Sequence, residues 1–241
     1  MPVSSSGHLV IGQHLLGINE PGVSLEIILH LGTLLAVFAF YYDRILELFM
    51  PLFKAPKRYH RTGQFRTVLA LIIGTVPAVI VGLFFNDAID AAFSNPRYAC
   101  LFLIVTGGIL LLPKLLSKAD GTSSPNLLKG LVIGIAQAFA ILPGISRSGS
   151  TITMARLLGV DGKKAAEFSF LLSIPAILGA TVLKLSESNG IPIEYFIGGG
   201  VAAIVGYLSI LAVEKLLVRG RFHYFSYWCF LVGIVGLIFI R

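Results

Sequence analysis

The segment 143–151 combines one arginine with several hydroxyl side chains inside sequence that is otherwise apolar. A cation at bilayer depth costs about 3 kcal/mol or more, so an intramembrane arginine indicates a functional site with an anionic partner. Guanidinium and hydroxyl groups at a helix N-terminus are suitable ligands for a phosphate oxyanion. The segment therefore predicts a phosphate-binding site built from Arg147, Ser146, Ser148 and Thr151.

Each of these side chains also has a structural interpretation. Arg147 is suited to cap backbone carbonyls or to extend toward the cytoplasmic surface. Ser146, Ser148 and Thr151 are suited to cap a helix that begins near Ile152. Since one helix N-terminus accommodates both capping and phosphate binding, the sequence favours phosphate binding for Arg147 and leaves the role of each hydroxyl open.

A second hydroxyl-rich motif, Ser4-Ser5-Ser6-Gly7-His8, lies at the start of the chain. It aligns with Ser146-Arg147-Ser148-Gly149 and so pairs Ser5 with Arg147. Ser5 and His8 share one face if a helix begins here, because they lie three residues apart. An imidazole, with an unperturbed pKa of about 6.5, suits a proton shuttle. The motif therefore predicts Ser5 and His8 as catalytic residues, with Ser4 and Ser6 as substrate ligands.

The composition is that of an integral membrane protein. Hydrophobic residues make up 56% of the 241 residues and charged residues only 13%, with a mean hydropathy of +0.86. Soluble domains carry about 25% charged residues, so the composition excludes that class. The net charge of +7 comes from basic residues in short loops, where they set topology and contact lipid headgroups rather than nucleic acid. Cys100 and Cys229 lie in apolar runs, and we interpret them as buried thiols.

Six apolar runs are long enough to span a bilayer, which needs about 20 residues for each helix. They cover residues 23–42, 67–85, 98–116, 165–184, 195–217 and 224–240. Two further segments, 2–17 and 128–159, are too short or too broken to span, and we interpret them as re-entrant helical hairpins. The sequence thus predicts an all-α integral membrane protein with six transmembrane helices and two re-entrant hairpins.

Loop charges give the two halves of the chain opposite orientations. The basic loop at 43–66 is expected inside, Asp87 and Asp90 outside, and Lys163 and Lys164 inside. This alternation closes only if the two hairpins enter from opposite sides of the membrane. We therefore expect the hairpins to point at each other.

The spacing of the two motifs indicates an inverted repeat within a single membrane domain, residues 1–241. Glu26 follows Ser4 by 22 residues, and Glu167 follows Ser146 by 21. Repeat A covers about 1–120 and repeat B about 121–241, each a hairpin followed by three spans. Such repeats are typical of transporters, whose anion sites lie at half-helix N-termini near the midplane. For the two glutamates we favour a structural role, bonding backbone that the broken helices open.

These motifs resemble those of the bacterial undecaprenyl-diphosphatase family, the integral-membrane type linked to bacitracin resistance. The resemblance rests on segments 2–8, 143–149 and 168–175 and extends to the C-terminus. It implies hydrolysis of undecaprenyl diphosphate to undecaprenyl phosphate and inorganic phosphate, which recycles the lipid carrier of peptidoglycan synthesis. It also implies a divalent metal, Mg²⁺ or Ca²⁺, and an outward-facing site in the bacterial plasma membrane.

The sequence departs from the family pattern at its start. In the family, a helix with a Glu-x-x-x-Glu pattern runs directly into the Pro-Val-Ser-Ser segment, whereas this sequence begins at Met1, immediately before Pro2. The two acids, which the resemblance implies as metal ligands or as acid/base groups, therefore precede Met1, and we predict no metal ligand in the chain. A start codon assigned too far downstream is the preferred explanation, and a genuine truncation is the alternative. Gln137 lies nine residues before Ser146, the spacing of the family's first glutamate, and is predicted to bind substrate.

The leading hypothesis is hydrolysis of a polyprenyl diphosphate where the two hairpins meet. Arg147 holds the diphosphate, Ser5 or a water attacks the terminal phosphorus, and His8 moves the proton. A polyprenyl-phosphate transporter or flippase is the rival, because alternating access needs the same anion site without bond cleavage. An inactive, shortened homologue is the third interpretation. The expected partners are a lipid diphosphate and membrane lipids, without nucleic acid, and the sequence leaves a homodimer open.

Overall fold

A computed structural model shows that the chain is built of α-helices. It describes residues 1–18, 23–54, 56–116, 121, 123–185 and 192–240, and over these residues the β pairing is limited to an isolated bridge between Ser123 and Val160. The helices, in chain order, are α1 Ser5–Leu15, α2 Val23–Phe40, α3 Tyr42–Lys54, α4 Pro56–Tyr59, α5 Gly63–Phe84, α6 Asn86–Phe93, α7 Pro96–Leu116, α8 Leu127–Phe139, α9 Arg147–Leu157, α10 Gly162–Leu185, α11 Ile193–Val218 and α12 Tyr224–Phe239.

The predicted apolar runs all form helices, which confirms an all-α fold of integral membrane character. The six runs correspond to α2, α5, α7, α10, α11 and α12. Within the described ranges, four helices are long and apolar enough to cross a bilayer: Gly63–Phe84, Pro96–Leu116, Gly162–Val182 and Ile193–Val218. The described apolar stretch of α2, Ile27–Phe40, and that of α12, Tyr224–Phe239, are shorter. Membrane crossing by these two helices therefore stays a prediction.

Glycines bring pairs of helices into close contact. Helix α5 packs on α8, where a Cβ added to Gly74 would lie 2.8 Å from the carbonyl oxygen of Gly130. Helix α2 packs on α11, where Gly32 meets the backbone of Gly199. Small residues of this kind are typical of membrane helix interfaces, because close backbone approach maximises van der Waals contact.

The two predicted hairpins differ in the structure. Segment 128–159 forms two helices, α8 and α9, which pack against each other on either side of a turn at residues 140–146. Segment 2–17 forms the single helix α1 where a hairpin was predicted.

Three short helices lie where the sequence analysis expected loops. Helices α3 and α4 form in the basic segment after α2, and α6 lies between α5 and α7. In α3, Asp43 lies in the first turn and Lys54 in the last, an order that favours the helix dipole. Tyr59 of α4 donates a hydrogen bond to the carbonyl oxygen of buried Leu48 at 2.9 Å, so α3 and α4 pack together.

Candidate phosphate site

Helix α9 begins inside the protein, at the segment that the sequence analysis singled out. Ser146 is its N-cap, and the Ser146 Oγ accepts a hydrogen bond from the Gly149 backbone N–H at 3.1 Å. Arg147 is the first residue of the helix, and Ser148 follows as a buried side chain in the first turn. The positive end of the helix dipole and the guanidinium therefore lie together, as an anion site requires.

The turn before α9 is braced by Thr106 of α7. The Thr106 Oγ1 donates to the Gly144 carbonyl oxygen at 2.7 Å and accepts from the Ser146 backbone N–H at 3.0 Å. Gly144 has a φ of +100°, and a Cβ there would lie 2.8 Å from the Phe102 Cβ. The shape of the turn thus depends on Gly144, and its position depends on the two hydrogen bonds from Thr106 of α7.

Four buried side-chain atoms at this end of the α8–α9 pair have no hydrogen-bond partner among the residues that the structure describes. They are Gln137 Nε2 and Oε1, Arg147 Nη1 and Ser150 Oγ. A buried donor or acceptor without a partner costs about 1–3 kcal/mol, and more when the group is charged. Since Gln137 lies near the end of α8 and the other two residues lie in the first turn of α9, these atoms mark a place that a polar ligand would complete.

The two motifs meet in the structure. A Cβ added to Gly7 would lie 2.7 Å from the Gly144 Cα, so the backbones touch. The Ser4 Oγ lies 3.5 Å from the Ile145 carbonyl oxygen and 3.2 Å from the Ser6 Oγ. Segments separated by about 140 residues in the sequence therefore form one polar centre.

Helix α1 presents the serine and the histidine that the sequence predicted as catalytic. Ser4 caps α1 with its Oγ, which accepts from the Gly7 backbone N–H at 3.3 Å, and Ser4 has a φ of +59°. A positive φ is uncommon for a residue other than glycine, and such strain clusters at functional sites. Ser5 is exposed at the first position of the helix, and His8 is half-buried one turn later.

The His8 ring is bonded at both nitrogens. His8 Nδ1 lies 2.9 Å from the Ser4 carbonyl oxygen, and the Trp228 Nε1–H donates to His8 Nε2 at 2.9 Å. A carbonyl oxygen only accepts and an indole N–H only donates, so Nδ1 carries the proton and Nε2 is the acceptor. Trp228 lies on α12 and was not predicted as a site residue. It is 220 residues away from His8 in the sequence, and no sequence pattern connects the two.

Thr151 has a different environment from the other predicted ligands. It is fully buried, donates to the Arg147 carbonyl oxygen at 2.8 Å and shares a hydrogen bond with the Ser169 Oγ at 2.6 Å. The bond to Ser169 ties α9 to α10, whereas the bond to Arg147 lies within α9. Substrate binding by Thr151 stays a prediction.

One of the two predicted glutamates, Glu167, bonds to a side chain of α3. The Arg44 Nε donates to the Glu167 Oε1 at 2.7 Å, an ion pair between α3 and α10. This contact agrees with a structural role for Glu167, with a side chain of α3 rather than backbone as partner, and that role stays a prediction. The side chain of Glu26 lies outside the described residues.

The side chains gathered at α1 and α9 do not fit a divalent cation. Over the described residues, no three His, Cys, Asp or Glu side chains are grouped closely enough to share a metal. The polar groups at the centre are hydroxyls, one amide, an imidazole bonded at both nitrogens and a guanidinium whose charge repels a cation. Mg²⁺ and Ca²⁺ prefer carboxylate oxygens, and this donor set supplies none.

Comparison with known proteins shows that nearly the whole chain is similar to one protein family. A family model described as bacitracin resistance protein BacA matches residues 1–235. An undecaprenyl-diphosphatase of Syntrophotalea carbinolica is 42% identical, over 97% of this chain and 90% of that protein. Proteins of the same name from Salinibacter ruber and Thermosipho africanus are 37% and 38% identical, each over 98% of this chain and 92% of the relative.

Proposed function

The chain belongs to the bacitracin resistance protein BacA family, and on that premise we propose that it hydrolyses undecaprenyl diphosphate to undecaprenyl phosphate and inorganic phosphate. The similar proteins are named undecaprenyl-diphosphatase and match almost their full length. The reaction recycles the lipid carrier of peptidoglycan synthesis. It also accounts for the bacitracin resistance after which the family is named.

The buried polar atoms at the start of α9 carry this proposal. Arg147 Nη1 and Ser150 Oγ have no partner among the described residues, and neither atom of the Gln137 amide has one. A diphosphate offers acceptor oxygens to the guanidinium, to the hydroxyl and to the amide N–H₂ together. Because the α9 N-terminus also points to this place, negative charge on the substrate is stabilised there.

The side chains divide the chemistry between the two motifs. Arg147 neutralises the diphosphate and holds it together with Ser146 and Ser148, while Ser4, Ser6 and Gln137 bind its remaining oxygens. The Ser5 Oγ or a water forms a bond to the terminal phosphorus, the bond to the bridging oxygen breaks, and undecaprenyl phosphate leaves. His8 takes the proton of the attacking hydroxyl. If Ser5 attacks, a water then releases phosphate from the serine.

The membrane placement belongs to the same proposal. Six spans and two re-entrant segments in the plasma membrane, arranged as inverted repeats at about 1–120 and 121–241, bring the N-termini of α1 and α9 together near the midplane. The contact between Gly7 and Gly144 supports this arrangement. The prenyl tail lies among the spans, and the headgroup enters the polar centre. A divalent metal would add charge neutralisation in the family. The side chains of this chain bind the diphosphate, attack the phosphorus and move the proton.

Phosphate release by the purified chain tests the function. In detergent, with a polyprenyl diphosphate as substrate, we expect Arg147→Ala to lower kcat/KM on the order of 100-fold or more, since it removes a transition-state charge partner. Arg156→Ala is the matched control, because Arg156 lies on the same helix and its Nη1 donates to the Val160 carbonyl oxygen at the far end.

Near-full turnover by Arg147→Ala would contradict the assignment. Lipid translocation in vesicles without phosphate release by the unaltered chain would favour the carrier instead.

A further inference from the structure

Trp228 makes a directed contact with the proposed proton shuttle. It is the one tryptophan of the sequence, and its Nε1–H donates to His8 Nε2 at 2.9 Å. The indole and imidazole rings are nearly parallel, at 5°, with centroids 6.3 Å apart. Trp228 is 51% exposed, yet its N–H is directed to the polar centre rather than outward. A tryptophan that only anchors a helix at the membrane interface directs its N–H toward headgroups.

The contact fixes the His8 ring at both ends. Nδ1 is anchored by the Ser4 carbonyl oxygen and Nε2 by the indole N–H, so the ring cannot rotate without losing one of the two bonds. Both bonds require the same neutral tautomer, with the lone pair on Nε2. An imidazole that accepts a proton from a hydroxyl needs that lone pair to be free of hydrogen and fixed in direction.

Trp228 is itself held by the packing of α12 against α7. A Cβ on Gly233 would lie 2.8 Å from the Cys100 carbonyl oxygen, and one on Gly107 of α7 would lie 2.7 Å from the Phe230 ring. These close approaches fix the depth of α12 relative to α7, the helix that also carries Thr106. The indole therefore occupies a defined position beside α1.

We infer that Trp228 is a positioning residue, which orients His8 and holds it as the neutral Nδ1–H tautomer until the attacking hydroxyl takes the place of the indole at Nε2. This inference rests on the proposed hydrolysis, in which His8 moves a proton. It adds a residue of the second repeat to the half of the site that α1 provides. It also gives the aromatic side chain a role in turnover rather than in substrate affinity.

Three variants separate this role from packing. Trp228→Phe keeps an aromatic ring but removes the donor, and we expect kcat to fall about tenfold while KM changes by less than roughly twofold. Trp228→Tyr restores a donor on an aromatic ring and is expected to recover part of kcat. Tyr227→Phe, an exposed neighbour on the same helix, is the control and should match the unaltered chain. Equal kcat for Trp228→Phe and the unaltered chain would overturn the inference, as would a loss confined to KM.

The single tryptophan also provides a readout that needs no substrate. In ¹⁵N-tryptophan-labelled chain in micelles, one indole N–H signal is expected, since the sequence has one tryptophan. His8→Ala should move this signal to the position of a water-bonded or lipid-bonded indole, whereas His14→Ala should not. An unmoved signal in His8→Ala would show that the contact is absent and overturn the inference. If the signal moves but no phosphate is released by the unaltered chain, hydrolysis fails while the orientation of His8 by Trp228 stands.

Discussion

At the scale of single residues, two neighbouring hydroxyls of α9 differ in what they bond. Within the described part of the chain, the Ser150 Oγ is buried without a partner, whereas the Thr151 Oγ1 is bonded to the Arg147 carbonyl oxygen and to Ser169. An unpartnered buried hydroxyl lowers the stability of the folded chain, so we propose that a ligand bonds to Ser150. A bonded hydroxyl between two helices contributes to the fold itself.

Replacing each hydroxyl should therefore change a different quantity. We expect Ser150→Ala to leave the melting temperature unchanged or slightly raised, and to raise KM roughly tenfold because a hydrogen bond to charged substrate is lost. Thr151→Val should lower the free energy of unfolding by about 1–2 kcal/mol, since it breaks the bond to Ser169 on α10. Thermal unfolding in detergent and steady-state kinetics measure both. A melting temperature that falls as far in Ser150→Ala as in Thr151→Val would contradict this division.

At the scale of the helices, local signals in the sequence predicted the start of α9 but not its supports. Ser146, Arg147 and Gly149 indicate a cap, a cation and a tight turn within a few residues of one another. Thr106 lies 40 residues away in an apolar run, where a threonine carries no sign of the bonds it makes. Helix α3 was missed for a related reason, because its charges were assigned to a loop although its apolar residues recur at helical spacing.

The brace from α7 should control the geometry of the site. Thr106→Val keeps the side-chain shape but removes both hydrogen bonds to the turn, to the Gly144 carbonyl oxygen and the Ser146 N–H. We expect a loss of about 2 kcal/mol in unfolding free energy and a fall in kcat of roughly tenfold or more, because the α9 N-terminus is no longer held in place. Unfolding and turnover measured on the same preparation test this.

Thr75 on α5 provides the matched control. It is also buried, but its Oγ1 donates to the Leu71 carbonyl oxygen of its own helix, one turn earlier. That carbonyl oxygen can keep its helical bond without the threonine, so Thr75→Val should be close to neutral for both quantities. Equal effects of the two substitutions would show that Thr106 acts only as a buried threonine and not as a brace.

At the scale of the whole molecule, the two proposed repeats are interleaved rather than separate. Helix α2 packs on α11 and α7 on α12, so helices of the first half pair with helices of the second. Arg44 of α3 binds Glu167 of α10, and the Tyr41 hydroxyl donates to Glu214 of α11 at 2.7 Å. The charges of the loops predicted opposite orientations for the two halves. The sequence did not predict which helices pack together, because apolar runs of similar composition do not differ in the partners they favour.

Single cysteines placed in four exposed positions test the inverted arrangement directly. Cys100 and Cys229 are free and buried, as predicted, so they provide a weakly reactive background. With a membrane-impermeant maleimide on intact cells, we expect labelling of Ser94→Cys and Glu194→Cys. His60→Cys and Arg221→Cys should be labelled only after the membrane is opened, because basic loops face the cytoplasm.

The four replaced residues are exposed in the structure. Labelling of Ser94→Cys and Glu194→Cys from opposite sides would contradict six spans with two re-entrant segments, since these positions follow the second span of repeat A and the first span of repeat B.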